Sequence, residues 1–183
     1  GEYLPCIHLQ AYMRERYGYL PREGAEEKRR VPFDLLGDLY WPVVLVGSSM
    51  GGWIALHLAL LRPDRVRALV GIAAAPDFTD WGYADDEAAV RNGLARGFWE
   101  SGQKLRLLDN QIAIDCPIRL LHGEQDNEVP LEIAFRMLRA LRSADVQLHV
   151  IKGGGHRLSE PHEIDTILRT VAALIDQPLE PAP

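Results

Sequence analysis

The sequence predicts an α/β fold, in which a mostly parallel β-sheet is covered by helices on both faces. Two observations predict it. From residue 43 onward, short apolar runs alternate with segments of helical periodicity. The first apolar run, residues 43–46, is rich in valine, as is typical of a parallel strand buried on both faces. With 183 residues, the chain can form one domain with a full core, so we expect a single domain over 1–183.

The individual elements follow from local patterns. Residues 53–61 are apolar nearly all round, which favours a buried helix directly after the first strand. Further strands are expected at 66–74, 117–122 and 146–151, and further helices at 131–142 and 161–176. Proline at 161 suits the first position of the last helix. Right-handed crossovers would place the carboxyl ends of all the strands at one edge of the sheet, where sites form.

A glycine-framed serine joins the first strand to the first helix. The pattern is Gly-x-Ser-x-Gly, with Ser49 between Gly47 and Gly51. A nucleophilic serine needs such a sharp turn, because its hydroxyl must stand clear of the backbone and neighbouring side chains would collide. We expect Gly47 and Gly51 to prevent that collision and Gly52 to relieve it further. The N–H of Met50, at the positive end of the helix, is the expected first donor of an oxyanion hole.

A serine at neutral pH needs a base, and the candidate base is His156. It follows the strand 146–151 directly, in a loop that contains three glycines. The other histidines are weaker candidates: His57 is expected to be packed in a helix, His122 to shape a turn, and His8, His149 and His162 have no partner at useful spacing. A histidine or cysteine pattern typical of metal ligands is also missing, so we expect neither metal nor cofactor.

The acid that orients the base should follow a strand between the serine and the histidine. Asp126 satisfies this condition, since it lies in the loop after the strand 117–122. Its carboxylate would fix the tautomer of His156 and stabilise the imidazolium. Glu124, Glu128 and Asp77 have suitable chemistry and remain alternatives at this point. The chain order serine, aspartate, histidine is the order associated with the Gly-x-Ser-x-Gly turn.

Taken together, these segments resemble the α/β-hydrolase superfamily. Three segments match its catalytic motifs in order: 47–53 (Gly-Ser-Ser-Met-Gly-Gly-Trp), 121–130 (Leu-His-Gly-Glu-Gln-Asp, then Val-Pro) and 154–156 (Gly-Gly-His). The form of the serine motif looks most like bacterial carboxylesterases related to the mitochondrial palmitoyl-protein thioesterase of the α/β-hydrolase-domain family. The resemblance covers about residues 43–176. It implies that Ser49 is the nucleophile, Asp126 the acid, His156 the base and the Met50 N–H an oxyanion donor.

Two segments depart from this pattern. Residues 1–42 are too short for the strands that normally precede the serine strand and contain no His-Gly-type loop for a second oxyanion donor. We therefore expect an atypical front that lacks the first strands, with a short helix at 8–17. Residues 77–112 are rich in aromatic and acidic side chains and are expected to form a lid over the site. Trp81, Phe98 and Trp99 would then line the substrate pocket; the alternative is that these aromatics are core of an extra helical hairpin.

Composition excludes several other classes of protein. The net charge of −6 disfavours a nucleic-acid partner. Two distant cysteines, Cys6 and Cys116, argue against a disulfide framework, and we expect a cytoplasmic protein. No apolar run is long enough to span a membrane and no signal-peptide pattern opens the chain. A missing strand beside the serine strand would expose an edge that can pair with another chain, so we expect a monomer or a homodimer.

The sequence supports three functional hypotheses. The first is a serine hydrolase that cleaves carboxylic esters or thioesters, either small molecules or acylated proteins, through an acyl-enzyme on Ser49; the resemblance implies an apolar acyl chain. The second is a truncated hydrolase fold, catalytically weak or inactive, that binds an acyl ligand or a protein partner. The third keeps the fold but changes the reaction, for instance to that of a lyase or a carbon–carbon hydrolase.

Overall fold

A computed structural model describes residues 43–81 and 96–177. Four strands form one sheet in the order β1-β2-β3-β4: β1 Val43–Ser48, β2 Val66–Ile72, β3 Ile118–Gly123 and β4 Val146–Ile151. All three strand pairs are parallel. The predicted α/β architecture is therefore confirmed.

Five helices are described between and after these strands. They are α1 Met50–Leu61, α2 Phe78–Trp81, α3 Arg96–Gln103, α4 Leu131–Ala140 and α5 Pro161–Ile175. The predicted strand 66–74 ends two residues early, because Ala73 adopts a positive φ of 43° that a strand cannot accommodate. The predicted helix 131–142 also ends early, because Leu141 is extended. In α5, Pro161 occupies the first turn and Glu160 and Glu163 form a reciprocal capping box.

The first strand and the first helix are more exposed than the sequence predicts. Val46 on β1 is 38% exposed and Ile54 on α1 is 51% exposed. In the part of the chain that the structure describes, β1 pairs only with β2. α1 packs against these two strands, and Ala55, Leu56 and Ala59 on its buried face belong to the hydrophobic core. The expectation that β1 is buried on both faces and α1 all round is therefore wrong.

The core lies between the two central strands and the helices α1 and α4. Every residue of β3 is buried, as is every residue of β2 except Arg67. Leu69 and Ile118 from the sheet pack with Leu56 from α1 and Met137 from α4. Burying side chains of this size contributes about 1.5–3 kcal/mol each and fixes the sheet rigidly beneath the loops.

The carboxyl ends of the strands meet at one edge, as the crossovers predict. Ser48 at the end of β1 is in register with Ile72 at the end of β2. Gly123 at the end of β3 is in register with Ile151 at the end of β4. The loops that carry Ser49, Asp126 and His156 all leave from this edge.

Two predictions concern segments that lie wholly or partly outside residues 43–81 and 96–177. Residues 1–42, for which an atypical front with a short helix at 8–17 is predicted, lie outside the described residues, as does the stretch 82–95 of the predicted lid. The described parts of that segment include α2 and α3, which pack against each other. None of the described helices is both long and apolar enough to cross a membrane.

Candidate active site

Ser49 lies in the sharp turn between β1 and α1. Its φ of 52° is in the left-handed region, where an ordinary side chain is strained by about 1–3 kcal/mol. The turn is held by three backbone hydrogen bonds: the Ser49 N–H donates to Ile72, and the Ser49 carbonyl accepts from Gly52 and Ala75. These bonds join the turn to the end of β2 and keep the serine in its strained conformation.

Two glycines, Gly47 and Gly52, make this turn possible, whereas the sequence predicts this role mainly for Gly47 and Gly51. A Cβ on Gly47 would lie 2.3 Å from the carbonyl oxygen of Gly51, and a Cβ on Gly52 would lie 2.3 Å from the Cβ of Ala74. A Cβ on Gly51, in contrast, would meet nothing within 4 Å. The expectation that crowding requires Gly51 is therefore wrong. Close approach of the turn to α1 and of α1 to the loop after β2 requires Gly47 and Gly52 instead.

The imidazole of His156 reaches the serine. Its Nε2 lies 3.1 Å from the Oγ of Ser49, although the two residues are 107 positions apart. His156 sits in the loop after β4, in which Gly153 adopts a φ of 74° that favours glycine. An unprotonated Nε2 at this distance can accept the serine proton.

The other ring nitrogen of His156 faces the carboxylate of Asp126. Nδ1 lies 2.9 Å from Oδ2, so a proton on Nδ1 is donated to the carboxylate and Nε2 is left free to accept. The second carboxylate oxygen, Oδ1, accepts the backbone N–H groups of Glu128 and Val129, each at 2.9 Å. The side chain of Asp126 has no exposed surface. The carboxylate is thus fixed from one side and presents a single oxygen to the base.

The loops that carry the acid and the base pack directly against each other. The N–H of Gln125 donates to Gly154 at 2.8 Å, and the N–H of Glu124 donates to Ile151 at 2.9 Å. A Cβ on Gly123 would lie 2.3 Å from the carbonyl oxygen of Gly154, so only glycine permits this approach. The separation of Asp126 and His156 is therefore set by contacts between backbones.

The alternative acids have other partners. Asp77 is buried, and its carboxylate accepts the N–H groups of Leu107 and Leu108 at 2.8–3.1 Å. Burial raises the pKa of Asp77, and the two backbone hydrogen bonds oppose that rise. Glu124 accepts the N–H of Gly153 at 3.1 Å. Neither carboxylate contacts His156.

Glu128 is the alternative that does approach the base. Its Oε2 lies 3.7 Å from Nε2 of His156, but its side chain is 69% exposed. It faces the nitrogen that is directed to the serine, whereas an orienting acid must hold the opposite nitrogen. An exposed carboxylate in this position adds negative charge beside the imidazole without fixing its tautomer.

Met50 begins α1, so its N–H belongs to the first turn, where backbone donors have no acceptor within the helix. This is the position expected for an oxyanion donor, since Met50 directly follows Ser49 in the chain. The positive end of the α1 dipole points in the same direction. The arrangement can therefore stabilise negative charge that develops on a carbonyl oxygen bound beside Ser49.

The aromatic residues expected in the pocket separate into different environments. Phe98 is exposed, and its ring lies 6.0 Å from that of Phe78, which in turn packs edge-on against Trp53 at 5.5 Å. Trp81 packs against the core and donates its indole N–H to Pro76 at 2.7 Å. Within residues 96–177, the buried indole N–H of Trp99 has no hydrogen-bond acceptor. Trp81 thus matches the core alternative, whereas Phe98 belongs to a partly open cluster.

Sequence reasoning missed the position of His122. This side chain is 1% exposed, and its Nε2 lies 2.9 Å from the carbonyl oxygen of Val129 and 3.5 Å from Oδ2 of Asp126. The turn expected at His122 is at Gly123 and beyond. The position of His122 at the end of a predicted strand, four residues before Asp126, is the sequence signal that could have indicated this contact.

Comparison with known proteins gives the family. The prolyl oligopeptidase family matches residues 42–181, a stretch that contains all the described strands and helices. The chain belongs to this family. It is therefore a member of the α/β-hydrolase superfamily, as the three motifs indicate, and the family assignment by itself names neither a substrate nor a reaction.

Individual relatives of the chain are hydrolases. The chain is 32% identical over 156 residues to the mitochondrial palmitoyl-protein thioesterase ABHD10 of Homo sapiens, and this alignment covers 74% of the chain. The chain spans about half the length of that relative, 51%. The structure of α/β-hydrolase domain-containing protein 10 from mouse superposes with a TM-score of 0.70 at 32% identity, covering 79% of this chain and 66% of the mouse protein. The crystal structure of a putative hydrolase from Agrobacterium vitis S4 superposes with a TM-score of 0.67 at 33% identity, covering 73% of this chain and 61% of that protein.

Proposed function

We propose that the protein is a serine hydrolase that cleaves carboxylic esters or thioesters with an apolar acyl chain. The observation that carries the proposal is the continuous series of contacts from Ser49 Oγ to His156 Nε2 at 3.1 Å and from His156 Nδ1 to Asp126 at 2.9 Å. The family relationship and the likeness to a palmitoyl-protein thioesterase support the ester and thioester class.

The proposed reaction begins with attack of the Ser49 oxygen on the substrate carbonyl carbon. Nε2 of His156 takes the serine proton as the bond forms, and the carboxylate of Asp126 stabilises the resulting imidazolium. The N–H of Met50 donates to the carbonyl oxygen, which now carries the negative charge. His156 then returns the proton to the leaving alcohol or thiol, and an acyl-enzyme remains on Ser49.

Water releases the acyl group by the same route. His156 takes a proton from the water molecule, the hydroxide oxygen attacks the acyl carbon, and the proton returns to Ser49 as the carboxylic acid leaves.

The partly open aromatic cluster of Trp53, Phe78 and Phe98 supports an apolar acyl group. Its Phe78 lies three residues beyond Ala75, whose N–H is bonded to Ser49. We expect no metal or cofactor in this reaction, and the cytoplasmic location stays a prediction.

Labelling with a fluorophosphonate tests the nucleophile. The probe should react with the native protein at Ser49, and Ser49→Ala should abolish both labelling and turnover of acyl thioesters. The matched control is Ser48→Ala, which removes the adjacent, exposed hydroxyl. Ser48→Ala should be labelled at the native rate, and peptide mapping should place the probe on Ser49.

Two results would contradict the proposal in different ways. Labelling that survives Ser49→Ala would mean that another residue is the nucleophile. A folded native protein that binds fatty acid, but neither reacts with the probe nor turns over p-nitrophenyl esters or thioesters, would favour the non-catalytic, acyl-binding alternative.

A further inference from the structure

His122 is a buried polar group that the proposed reaction does not use. Its ring lies at the end of β3, and only 1% of the residue is exposed. A buried imidazole must find hydrogen-bond partners, since leaving it unpaired costs free energy. Its Nε2 has two oxygen atoms nearby, and both belong to the loop that carries Asp126.

The first of these oxygens fixes the position of a proton on the ring. Nε2 of His122 lies 2.9 Å from the carbonyl oxygen of Val129. A carbonyl oxygen can only accept, so the hydrogen bond requires a proton on Nε2. His122 thereby anchors Val129, whose own N–H donates to Oδ1 of Asp126 at 2.9 Å.

The second oxygen belongs to the carboxylate itself. The same Nε2 lies 3.5 Å from Oδ2 of Asp126, the atom that accepts Nδ1 of His156 at 2.9 Å. The N–H of His122 therefore lies close to the same carboxylate oxygen that accepts the hydrogen bond from the base. Three groups surround the carboxylate of Asp126: backbone N–H groups on Oδ1, His156 on Oδ2, and His122 at 3.5 Å from Oδ2.

We propose that His122 is a positioning residue for the catalytic acid: by bonding Val129 and approaching Oδ2, it fixes the carboxylate of Asp126 and, through it, the tautomer of His156. The inference rests on the proposed function, since Asp126 needs a fixed orientation only if His156 must accept a proton on Nε2. The competing explanation is that the ring of His122 merely fills space in the core.

Substitution of His122 separates the two explanations. His122→Leu fills the space without a donor, whereas His122→Gln places an amide N–H close to the position of Nε2. If His122 positions the acid, His122→Leu should lower kcat by about 10- to 100-fold, the range found when the partners that orient metal-bound histidines are removed. KM should stay unchanged, because His122 does not face the substrate, and His122→Gln should recover most of kcat.

Nuclear magnetic resonance supplies a readout that does not depend on turnover. Long-range proton–nitrogen spectra of the imidazole rings report which nitrogen carries the proton. In the native protein we expect a proton on Nε2 of His122 and on Nδ1 of His156; in His122→Leu the two tautomers of His156 should mix. The control is His57→Leu, which removes a histidine–carbonyl contact of similar length, 3.0 Å to Leu105, far along the chain from Asp126.

The outcomes decide the inference separately from the proposed function. His122→Leu with native kcat and an unchanged His156 tautomer would overturn it, as would a native His122 protonated only on Nδ1. The tautomer of His122 is measured on the native protein, so a proton found only on Nδ1 would overturn the inference even if His122→Leu does not fold. If the native protein is not labelled at Ser49, the proposed function fails, and the tautomer of His156 in His122→Leu still tests whether His122 positions Asp126.

Discussion

Replacing Asp126 with asparagine should abolish the proposed base while leaving the fold intact. The structure determines how the new amide is oriented, because Oδ1 accepts the N–H groups of Glu128 and Val129, each at 2.9 Å. The amide oxygen must take this place. The reverse orientation would direct the NH2 group at two N–H donors and leave the N–H of the buried Val129 unsatisfied, at about 1–3 kcal/mol.

This orientation reverses the tautomer of His156. The amide NH2 then faces Nδ1, which must lose its proton to accept a hydrogen bond, and the proton moves to Nε2. A protonated Nε2 donates to Ser49 Oγ and cannot remove its proton. We expect kcat to fall about 10⁴-fold, the loss measured for the equivalent change in a serine protease. At about 1.36 kcal/mol per tenfold, this corresponds to about 5.4 kcal/mol of transition-state stabilisation.

Turnover of an acyl thioester and the rate of fluorophosphonate labelling measure this loss, and a thermal melt checks the fold. The matched control is Glu128→Gln, a carboxylate-to-amide change 3.7 Å from Nε2 of His156 on an exposed side chain. It should change kcat by no more than about fivefold, since exposed ion pairs contribute about 0–1 kcal/mol. A kcat for Asp126→Asn within tenfold of the native value would refute this reasoning, as would equal losses in both variants.

Two further predictions concern stability. Gly52→Ala should lower the free energy of unfolding in guanidinium by about 1–3 kcal/mol, because its Cβ would lie 2.3 Å from the Cβ of Ala74. The control Gly51→Ala, whose Cβ would meet nothing within 4 Å, should raise the free energy of unfolding by about 0.5–1 kcal/mol. Equal effects of the two substitutions would contradict the packing argument. Because burial raises the pKa of Asp77, its contribution to stability is fully present below its ordinary pKa of 3.8 and falls as pH rises through the raised value. In urea titrations that start below pH 3.8, the free energy of unfolding of the native protein minus that of Asp77→Asn should therefore decrease as pH rises, and a difference that rises with pH would contradict the assigned direction.

The parallel sheet and the three candidate catalytic residues can be predicted from patterns of neighbouring residues alone. The parallel sheet follows from the alternation of apolar runs and helical stripes, and the structure places the strands within two residues of their predicted bounds. The candidates Ser49, Asp126 and His156 follow from where a serine, an acid and a histidine stand relative to the ends of strands. Such patterns are local, because strand and helix periods and turn preferences depend on residues only a few positions apart.

The exposure of α1 was not readable in this way. Its apolar sequence predicts burial all round, but exposure depends on which elements cover each face, and Ile54 is half exposed. The roles of the glycines were also misassigned. Gly51 and Gly52 are neighbours with the same local preference, and only the approach of Ala74 makes the second one necessary.

The sequence by itself determined the alternation of the four strands with α1, α4 and α5, the sharp serine turn and the set of side chains able to do the chemistry. Tertiary structure alone decided which acid reaches His156, since Glu124, Asp126 and Glu128 lie within five residues of one another. The contact of Gly123 with Gly154 brings the acid loop against the base loop, and it leaves Asp126 alone facing Nδ1. Distances of this kind arise from the packing of segments far apart in the chain, and no local pattern of residues encodes them.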